Sequence, residues 1–438
     1  MKIKFLIFFL LCVLCLPKPL PANEPVPAIE VLQKDMRDLK ESVASLASLV
    51  LSQNEIIKDQ TLKIAALERG EVRPTEAAKP ERSPQIRDLG QGFNPDIALV
   101  GTVQAQHTED STDGEGRDTI AMKELELNLS QYVDPYSRLD AVVSFNDAIE
   151  AQNASIEEAY YTHWGLPFGF QGQIGKFRSK IGKQNLLHTH QLDTVNFPLI
   201  IQNFFGEDGL SSSGVRLQNW LPNPWDIPVE ITGEILRGNN GASFSGISRR
   251  PIFNTHVKTF FEPGENSTLE LGGTLMFGDE NPRIAGADGA LLAAKASGQD
   301  RFGIHVVGAD ATFIKNLAEG RVLKFQNEVY VEDRGSNSSI QPANVNTVPW
   351  GFYSLLDYRF SPKFSAGIRF DYLEPLATAD QHGRTIAISP YFTFWQSEFA
   401  NFRIQYSHSD PASADAEPDD AVYLAANFLI GVHKHPVQ

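Results

Sequence analysis

The stretch GKFRSKIGKQNLLHTHQLDTVNFPLIIQNFFGEDGLSSSGVRLQNWLP, residues 175–222, decides how this chain is organised. A strand-like segment enters it, and another leaves it at 212–220. The connection between them carries clustered Lys, Arg and His and then an apolar patch. Connections longer than about 15 residues without regular structure are usually functional or disordered. This one is too apolar for a solvated tail, so it must pack against something, either outward as a lid or inward as a plug.

On both sides of this connection, apolar and polar residues alternate with a period of two, as in strands that have one apolar and one polar face. Leu125, Leu127 and Leu129, for example, alternate with Glu124, Glu126 and Asn128. We predict strands at 96–107, 119–131, 136–147, 154–164, 168–180, 212–220, 226–238, 250–262, 267–278, 302–315, 321–333, 349–360, 363–374, 383–396, 398–408 and 420–432.

The links between these segments alternate between short turns, such as VDPY (133–136) and PNPW (222–225), and long connections. Short turns at one rim and long loops at the other are typical of an outer-membrane barrel. We therefore predict an all-β transmembrane antiparallel β-barrel of about 16 strands over 96–438. Both termini would lie in the bacterial periplasm. A soluble β-rich exported protein also alternates and is the competing interpretation.

Aromatic residues recur beside the predicted short turns, where a barrel has an aromatic girdle at the membrane interface. Ordinary packing beside turns is the alternative for any one of them. The predicted girdle comprises Tyr132, Tyr136, Trp164, Phe168, Trp220, Trp225, Phe360, Phe364, Trp395 and Phe399.

The N-terminus has the pattern of an export signal. Residues 1–22 combine Lys2 and Lys4 with an apolar run too short to span a bilayer and a small residue at Ala22. Both cysteines lie within this segment, so the exported chain would contain none. The net charge of −16 argues against a nucleic-acid surface.

Residues 23–69 contain a heptad repeat, which predicts a coiled-coil oligomerisation segment. A single surface helix is the alternative. Residues 70–95 are rich in Pro, Gly and charge and predict a flexible linker. The two apolar seams of the heptads contain Ile29, Met36, Val43, Val50, Ile57 and Ile64, and Leu32, Leu39, Leu46 and Leu67.

A barrel of about 16 strands leaves an aqueous lumen unless something fills it. We expect the connection at about 181–211 to fold inward. Lys176, Arg178, Lys180 and Lys183 precede or begin it. Four cations at a constriction would attract anions despite the acidic total. The same cations would also suit a basic rim that faces lipopolysaccharide, and both placements stay open.

His188 and His190 lie two residues apart and next to Asp193. A HxH pair can bind a divalent metal, although such histidines in loops are more often plain polar contacts. The sequence contains no catalytic constellation that predicts an enzyme, and the prediction includes no cofactor.

Several segments resemble outer-membrane porin-like proteins related to the phosphate-selective porins O and P, members of which are often labelled zinc-regulated or TonB-dependent outer membrane receptors. The resemblance implies a 16-stranded trimeric barrel whose third loop folds inward and which passes small solutes by diffusion. The segments are VDPYSRLDAVVSF (133–145), SIEEAY (155–160), GLP (165–167), 175–200, FFGEDGLSSSGVRL (204–217) and ANFLIGVHKHP (426–436).

We therefore expect a homo-oligomeric outer-membrane channel for small solutes or ions, either general or anion-preferring, embedded among lipid and lipopolysaccharide. One alternative is a metal-linked uptake protein that uses zinc. Another is an envelope tether in which the coiled coil holds the cell wall.

Overall fold

The computed structural model describes residues 95–109, 118–148, 151–238, 243–244, 250–280, 283–285, 291–293, 302–334, 348–375, 383–411 and 418–431. The predicted export signal, the coiled coil and residues 70–94 of the predicted linker lie outside these ranges. The strands are β1 Asp96–Thr108, β2 Asp118–Asp134, β3 Ser137–Ala148, β4 Ala151–His163, β5 Gln171–Arg178, β6 Ser211–Leu221, β7 Val229–Leu236, β8 Ile252–Gly264, β9 Ser267–Glu280, β10 Arg283–Ala285, β11 Leu291–Ala293, β12 Phe302–Asn316, β13 Val322–Arg334, β14 Trp350–Ser361, β15 Phe364–Glu374, β16 Thr385–Ser397, β17 Ala400–Asp410 and β18 Asp419–Gly431.

In the described part of the chain, sixteen of these strands form one closed antiparallel barrel, so the predicted fold class is confirmed. Strands that follow one another along the sequence pair throughout, and β1 pairs with β18 from Ala98–Gly431 to Thr108–Ala421 to close the wall. Closure leaves no unpaired sheet edge, which a membrane-spanning sheet requires.

The pair β10–β11 was not predicted and forms a separate two-stranded sheet within the long connection 279–301. Its strands have three residues each, which is too short for a periodic pattern to appear.

The strands present an apolar face outward and a polar face to the lumen. On β17, Ile404 is 47% exposed, whereas its neighbours Arg403 and Gln405 are 5% and 0% exposed because they face the interior. The same alternation separates exposed Ile235 from buried Glu234 on β7. This outward apolar surface matches what lipid requires.

Aromatic side chains lie around the rim of short turns, as predicted for a girdle. Phe168 is 92% exposed, and the ring of Tyr132 near the end of β2 lies 6.0 Å from that of Trp164, which directly follows β4. Phe360 stacks on Phe364 across the turn between β14 and β15, at 6.1 Å.

Two strands contain an extra residue that changes which side chains face inward. In β4, Glu158 pairs with Val142 and Ile156 pairs with Val143, so Glu157 is unpaired between them. A bulge of this kind interrupts the strict alternation of side chains. Glu157 and Glu158 therefore both reach the lumen, where each contacts the same histidine. In β2, Lys123 is the extra residue.

The connection between β5 and β6 lies inside the barrel. It contains 3-10 turns at Gln184–Leu186 and Thr189–Gln191 and a short helix, α1, at Leu199–Phe205. The buried face of α1 packs on the inner wall, where the rings of Phe205 and Tyr330 meet edge to face at 5.2 Å. Among the described residues, none of the helices is both long and apolar enough to cross a membrane. We call residues 179–210 the inner loop.

Candidate functional site

The inner loop is closed at its base by its own backbone. The Ser179 amide donates to the Leu210 carbonyl at 2.9 Å, which brings the ends of the loop together. Asn185 bridges them, because its side-chain amide donates to the carbonyls of Ser179 and Leu210 and its oxygen accepts from the Leu210 amide at 2.7 Å. The 32 residues from 179 to 210 therefore leave and re-enter the wall at one point.

Where the chain leaves β5, it is held by a carboxylate of β7. Glu234 is buried and accepts a hydrogen bond from the Ser179 hydroxyl and another from the Lys180 amide at 3.0 Å. Arg216 on β6 balances this charge with its Nε 2.5 Å from Glu234 Oε1. The charge of Glu234 is therefore satisfied within the lumen rather than by solvent.

The next turn of the loop rests on Glu328 of β13. Its Oε1 accepts from the amides of Lys183 and Gln184 at 3.1 and 2.7 Å, and Tyr353 and Tyr330 donate their hydroxyl protons to the same carboxylate. Gly182 makes the turn possible. Its φ is +53°, and a Cβ there would lie 2.2 Å from the Glu328 carboxylate.

On the far wall, β15 holds the middle of the loop. Arg369 is 1% exposed and pairs with Asp371, with Nε 2.7 Å from Oδ2. The same guanidinium donates to the Thr194 hydroxyl at 2.5 Å and to the Asn196 carbonyl at 2.6 Å. Asp371 in turn accepts from the Leu199 amide at 3.0 Å.

Strand β17 adds two contacts to this region. Arg403 donates to the Thr194 carbonyl at 3.0 Å, and Gln405 accepts from the Val195 amide at 2.9 Å. The inner loop is thus tied to polar side chains on both sides of the barrel and crosses its interior.

The two predicted histidines lie together against β2 and β4. His188 Nδ1 is 3.0 Å from Glu157 Oε2, and its Nε2 is 3.2 Å from Glu158 Oε2. Burial by itself lowers the pKa of His188, but Glu126, Glu157 and Glu158 outweigh it and raise the pKa to about 10.

His190 extends this cluster to β2. Its Nδ1 is 3.0 Å from Glu126 Oε1, and its ring lies 5.9 Å from that of His188. Glu124 lies beside Glu126, and one ligand oxygen or nitrogen from each of Glu124, Glu126 and His190 lies within 4.8 Å of the others. We call Glu124, Glu126, Glu157, Glu158, His188 and His190 the Glu/His cluster.

Asp193, the third predicted metal ligand, does not join the histidines. It pairs with Lys324 of β13, with Oδ2 2.6 Å from Nζ. The Thr189–Gln191 turn and the extended residues after it separate Asp193 from His188 and His190, because they carry the chain towards the opposite wall. Asp193 is thus close to His188 and His190 in sequence but is paired with a different strand.

The four predicted pore cations occupy different places. Lys176 lies on the outer face beside exposed Ile156 and Ile174, and its Nζ donates to the Ile156 carbonyl at 2.5 Å. In a regular strand, Lys176, Arg178 and Lys180 would share one face, because side chains alternate between the two faces. That alternation ends with β5 at Arg178, where the chain turns into the lumen and carries Arg178 with it.

The other three cations are inside and paired. Arg178 donates to Glu157 at 3.4 Å and to the Asp208 carbonyl at 2.6 Å. Lys183 Nζ lies 3.3 Å from Glu270 Oε2.

Lys180 Nζ lies 2.6 Å from Glu230 Oε1 and donates to Gln218 at 2.8 Å. Burial lowers the pKa of Lys180 to about 8, although Glu230 acts in the opposite direction. Lys180 therefore loses its charge within the accessible pH range.

A cavity of about 340 Å³ lies between the inner loop and the β2–β6 wall. Polar and charged side chains from both sides line it, and its cationic members are Arg138, Arg178, Lys180 and Arg216. Its acidic members are Asp96, Asp140 and Glu158.

Sequence reasoning did not select the carboxylates that hold the loop, Glu234, Glu328 and the four of the Glu/His cluster. One signal was available at Glu157–Glu158, because two adjacent carboxylates in a strand put one of them on the lipid face unless a bulge turns it inward. The other carboxylates are ordinary members of the polar face, and their role depends on which loop residue arrives opposite them.

No protein-family model matches the chain. A protein of Aquifex aeolicus (strain VF5), described only as an uncharacterized protein, is 28% identical over 336 residues, which cover 71% of this chain and 68% of that protein.

Among solved structures, the chain is similar to three outer-membrane barrels, and in each case 77% of this chain is covered. The outer membrane channel DcaP of Acinetobacter baumannii is 13% identical, with 99% of that chain covered and a TM-score of 0.52. The anion-selective porin of Comamonas acidovorans is 9% identical, with 100% of that chain covered and a TM-score of 0.50. The trimer form of OmpT, an outer membrane protein of Vibrio cholerae, is 9% identical, with 99% of that chain covered and a TM-score of 0.50. At these identities the likeness establishes the fold, which is that of outer-membrane porin barrels.

Proposed function

We propose that this chain is a porin-like channel through which small hydrophilic solutes diffuse across the bacterial outer membrane. The observation that carries the proposal is a closed 16-stranded barrel with an apolar outer face and a charged inner wall, narrowed by one loop. A barrel of this size accommodates an aqueous path unless its interior is filled.

The inner loop would form the constriction of this channel, and its contacts with the wall support a fixed position for it. It is tied to carboxylates and guanidiniums on β7, β13, β15 and β17, no two of which are adjacent in the barrel. Buried charges that are satisfied by hydrogen bonds hold a segment in one place, because leaving any of them unpaired is costly. The loop therefore sets the width of the pore and the charge that lines it.

The cations beside the loop support an anion preference only weakly. Lys176 lies outside, and the other three predicted cations each have a carboxylate partner. Ion selectivity depends on the local lining and not on net charge. The pKa of Lys180 is lowered to about 8 by burial, so Lys180 is the cation through which we expect selectivity to be adjusted.

We further propose that the protein is a homo-oligomer, as a trimer or through the N-terminal heptads, with both termini in the periplasm. The trimer form of the Vibrio cholerae barrel and the short turns on the terminal side of the strands support this arrangement. Deleting residues 23–69 and measuring the oligomer mass in detergent separates barrel contacts from coiled-coil contacts.

Single-channel recording in planar bilayers tests the proposed function. The purified protein should insert and produce discrete conductance steps, and a salt gradient should give the sign of its selectivity. Folding is verified beforehand by the change in gel mobility on heating that intact barrels show. A folded barrel that inserts without conducting would refute the channel.

A further inference from the structure

The Glu/His cluster combines the donor atoms of a transition-metal site. It brings four carboxylates from two strands to two imidazoles from the inner loop. Imidazole nitrogen together with carboxylate oxygen suits zinc, manganese, iron, cobalt or nickel, whereas calcium and magnesium favour oxygen alone.

Two groups of three residues within the cluster hold their ligand atoms close enough for small side-chain movements to gather them around one ion. Glu124, Glu126 and His190 form one, and Glu126, Glu157 and His188 form the other, with ligand atoms within 4.8 Å of one another in each. Glu126 belongs to both groups. An ion in either position would therefore take a ligand from Glu126.

One buried oxygen of the cluster accepts no hydrogen bond from an N–H or O–H group of the described structure. This oxygen is Oε2 of Glu124, a residue that is only 9% exposed and whose carboxylate lies against those of Glu126 and Glu157. Buried carboxylates that touch one another need a shared proton or a cation between them. One oxygen of Glu124 lies within 4.8 Å of ligand atoms from Glu126 and His190, so a cation placed there would satisfy the carboxylate.

The charge of the cluster points to a cation as well. Four carboxylates that are buried or nearly so face one guanidinium, that of Arg178, beside Glu157. A divalent cation would supply countercharge to this group and could also take Glu124 as a ligand.

We propose that the Glu/His cluster is a binding site for a divalent first-row transition metal, with Glu126 as the central ligand. The ion would join the inner loop to β2 and β4. This ligand set differs from the predicted His188–His190–Asp193 set, because Asp193 is paired with Lys324 elsewhere in the barrel. Metal binding at the cluster does not require the barrel to conduct.

Zinc titration of the full-length protein by calorimetry tests this proposal. The purified, folded protein is first stripped with a chelator. His433 and His435 are replaced by Gln in all samples, because this second HxH pair near the C-terminus could also bind zinc. Glu126→Gln and the pair His188→Gln/His190→Gln should each weaken zinc binding by at least about 10-fold.

His256→Gln is the matched control. His256 is also buried and contacts a carboxylate, Asp310, at 3.3 Å, but it lies on β8 outside the Glu/His cluster. This variant should bind zinc as the parent protein does. Absence of zinc binding by the parent protein, or equal affinity in all variants, would overturn the proposal.

A measurement on the unsubstituted cluster covers the case in which the variants do not fold. Crystals of the parent protein soaked in zinc should show an anomalous scattering peak, at the zinc edge, between Glu126 and the two histidines. A map without a peak there contradicts the site, because no substitution has disturbed it.

Discussion

Arg369 holds the middle of the inner loop against β15. Its guanidinium is almost fully buried and makes four contacts, one with Asp371 on its own strand and three with Thr194 and Asn196 of the loop. Arg369→Met keeps much of the side-chain length and removes all four contacts. It also leaves Asp371 buried without its cation.

Breaking a buried ion pair by removing one partner costs about 3–5 kcal/mol. If the loop leaves the wall, Asp371 is exposed to water and its desolvation cost is mostly removed. The substitution therefore destabilises the seated loop relative to the released loop by nearly the full cost of about 3–5 kcal/mol. Since every 1.4 kcal/mol is a factor of ten, the released population should rise roughly 100-fold to several thousand-fold.

Planar-bilayer recording measures this change directly. Arg369→Met should show a larger mean conductance than the parent protein and frequent fluctuations between levels. Arg369→Lys should fall between them, because it retains the charge but not the planar fork that reaches both loop residues.

Arg138→Met is the control for loss of charge alone. Arg138 pairs with Asp140 on its own strand and lines the same lumen, and no contact with the loop is found for it among the described residues. It should leave the conductance fluctuations unchanged. If Arg369→Met folds and its conductance and noise equal those of the parent protein, the loop is not held by this arginine and the reasoning fails.

Three further outcomes follow from the loop contacts. Lys180→Glu should shift the reversal potential in a salt gradient towards cation selectivity, because it places a second carboxylate beside Glu230. Lys176→Glu, on the outer face, should leave the reversal potential unchanged. Raising the pH from 7 to 9 should also shift the reversal potential towards cation selectivity, because Lys180, with a pKa of about 8, loses its charge. The charged groups around it are Glu230, Arg216 and Lys258. Lys180→Arg should remove this pH dependence. Phe205→Ala should lower the free energy of unfolding in denaturant by about 3–5 kcal/mol through the cavity beside Tyr330, while Phe168→Ala, at an exposed rim position, should change it little.

The barrel itself could be predicted from local patterns. Alternation with a period of two places residues such as Ile404 and Arg403 on opposite faces wherever the strand lies in the wall, and short turns make consecutive strands neighbours. Both signals are contained within about 25 residues. For this reason all sixteen barrel strands were predicted and their bounds are close to those of the structure.

The faces on which the side chains of Lys176 and Arg178 lie could not be predicted from such local patterns. Their faces depend on where β5 ends and the chain turns inward, and this turn is stabilised by Glu234 and Leu210, which are 30 or more residues further on. The pairing of Asp193 with Lys324 across 131 residues has the same origin.

By itself, the sequence determined the kind of wall this chain builds and the presence of a long, half-apolar loop, because those features follow from periodicity and composition. Only the tertiary structure decided what the loop touches. Closing the barrel brings Glu126 and Glu158 to the two histidines, Glu328 to the turn at Gly182, and Arg369 to Asn196. These contacts join strands that are far apart in sequence, and their energies depend on burial, which exists only once the barrel has closed.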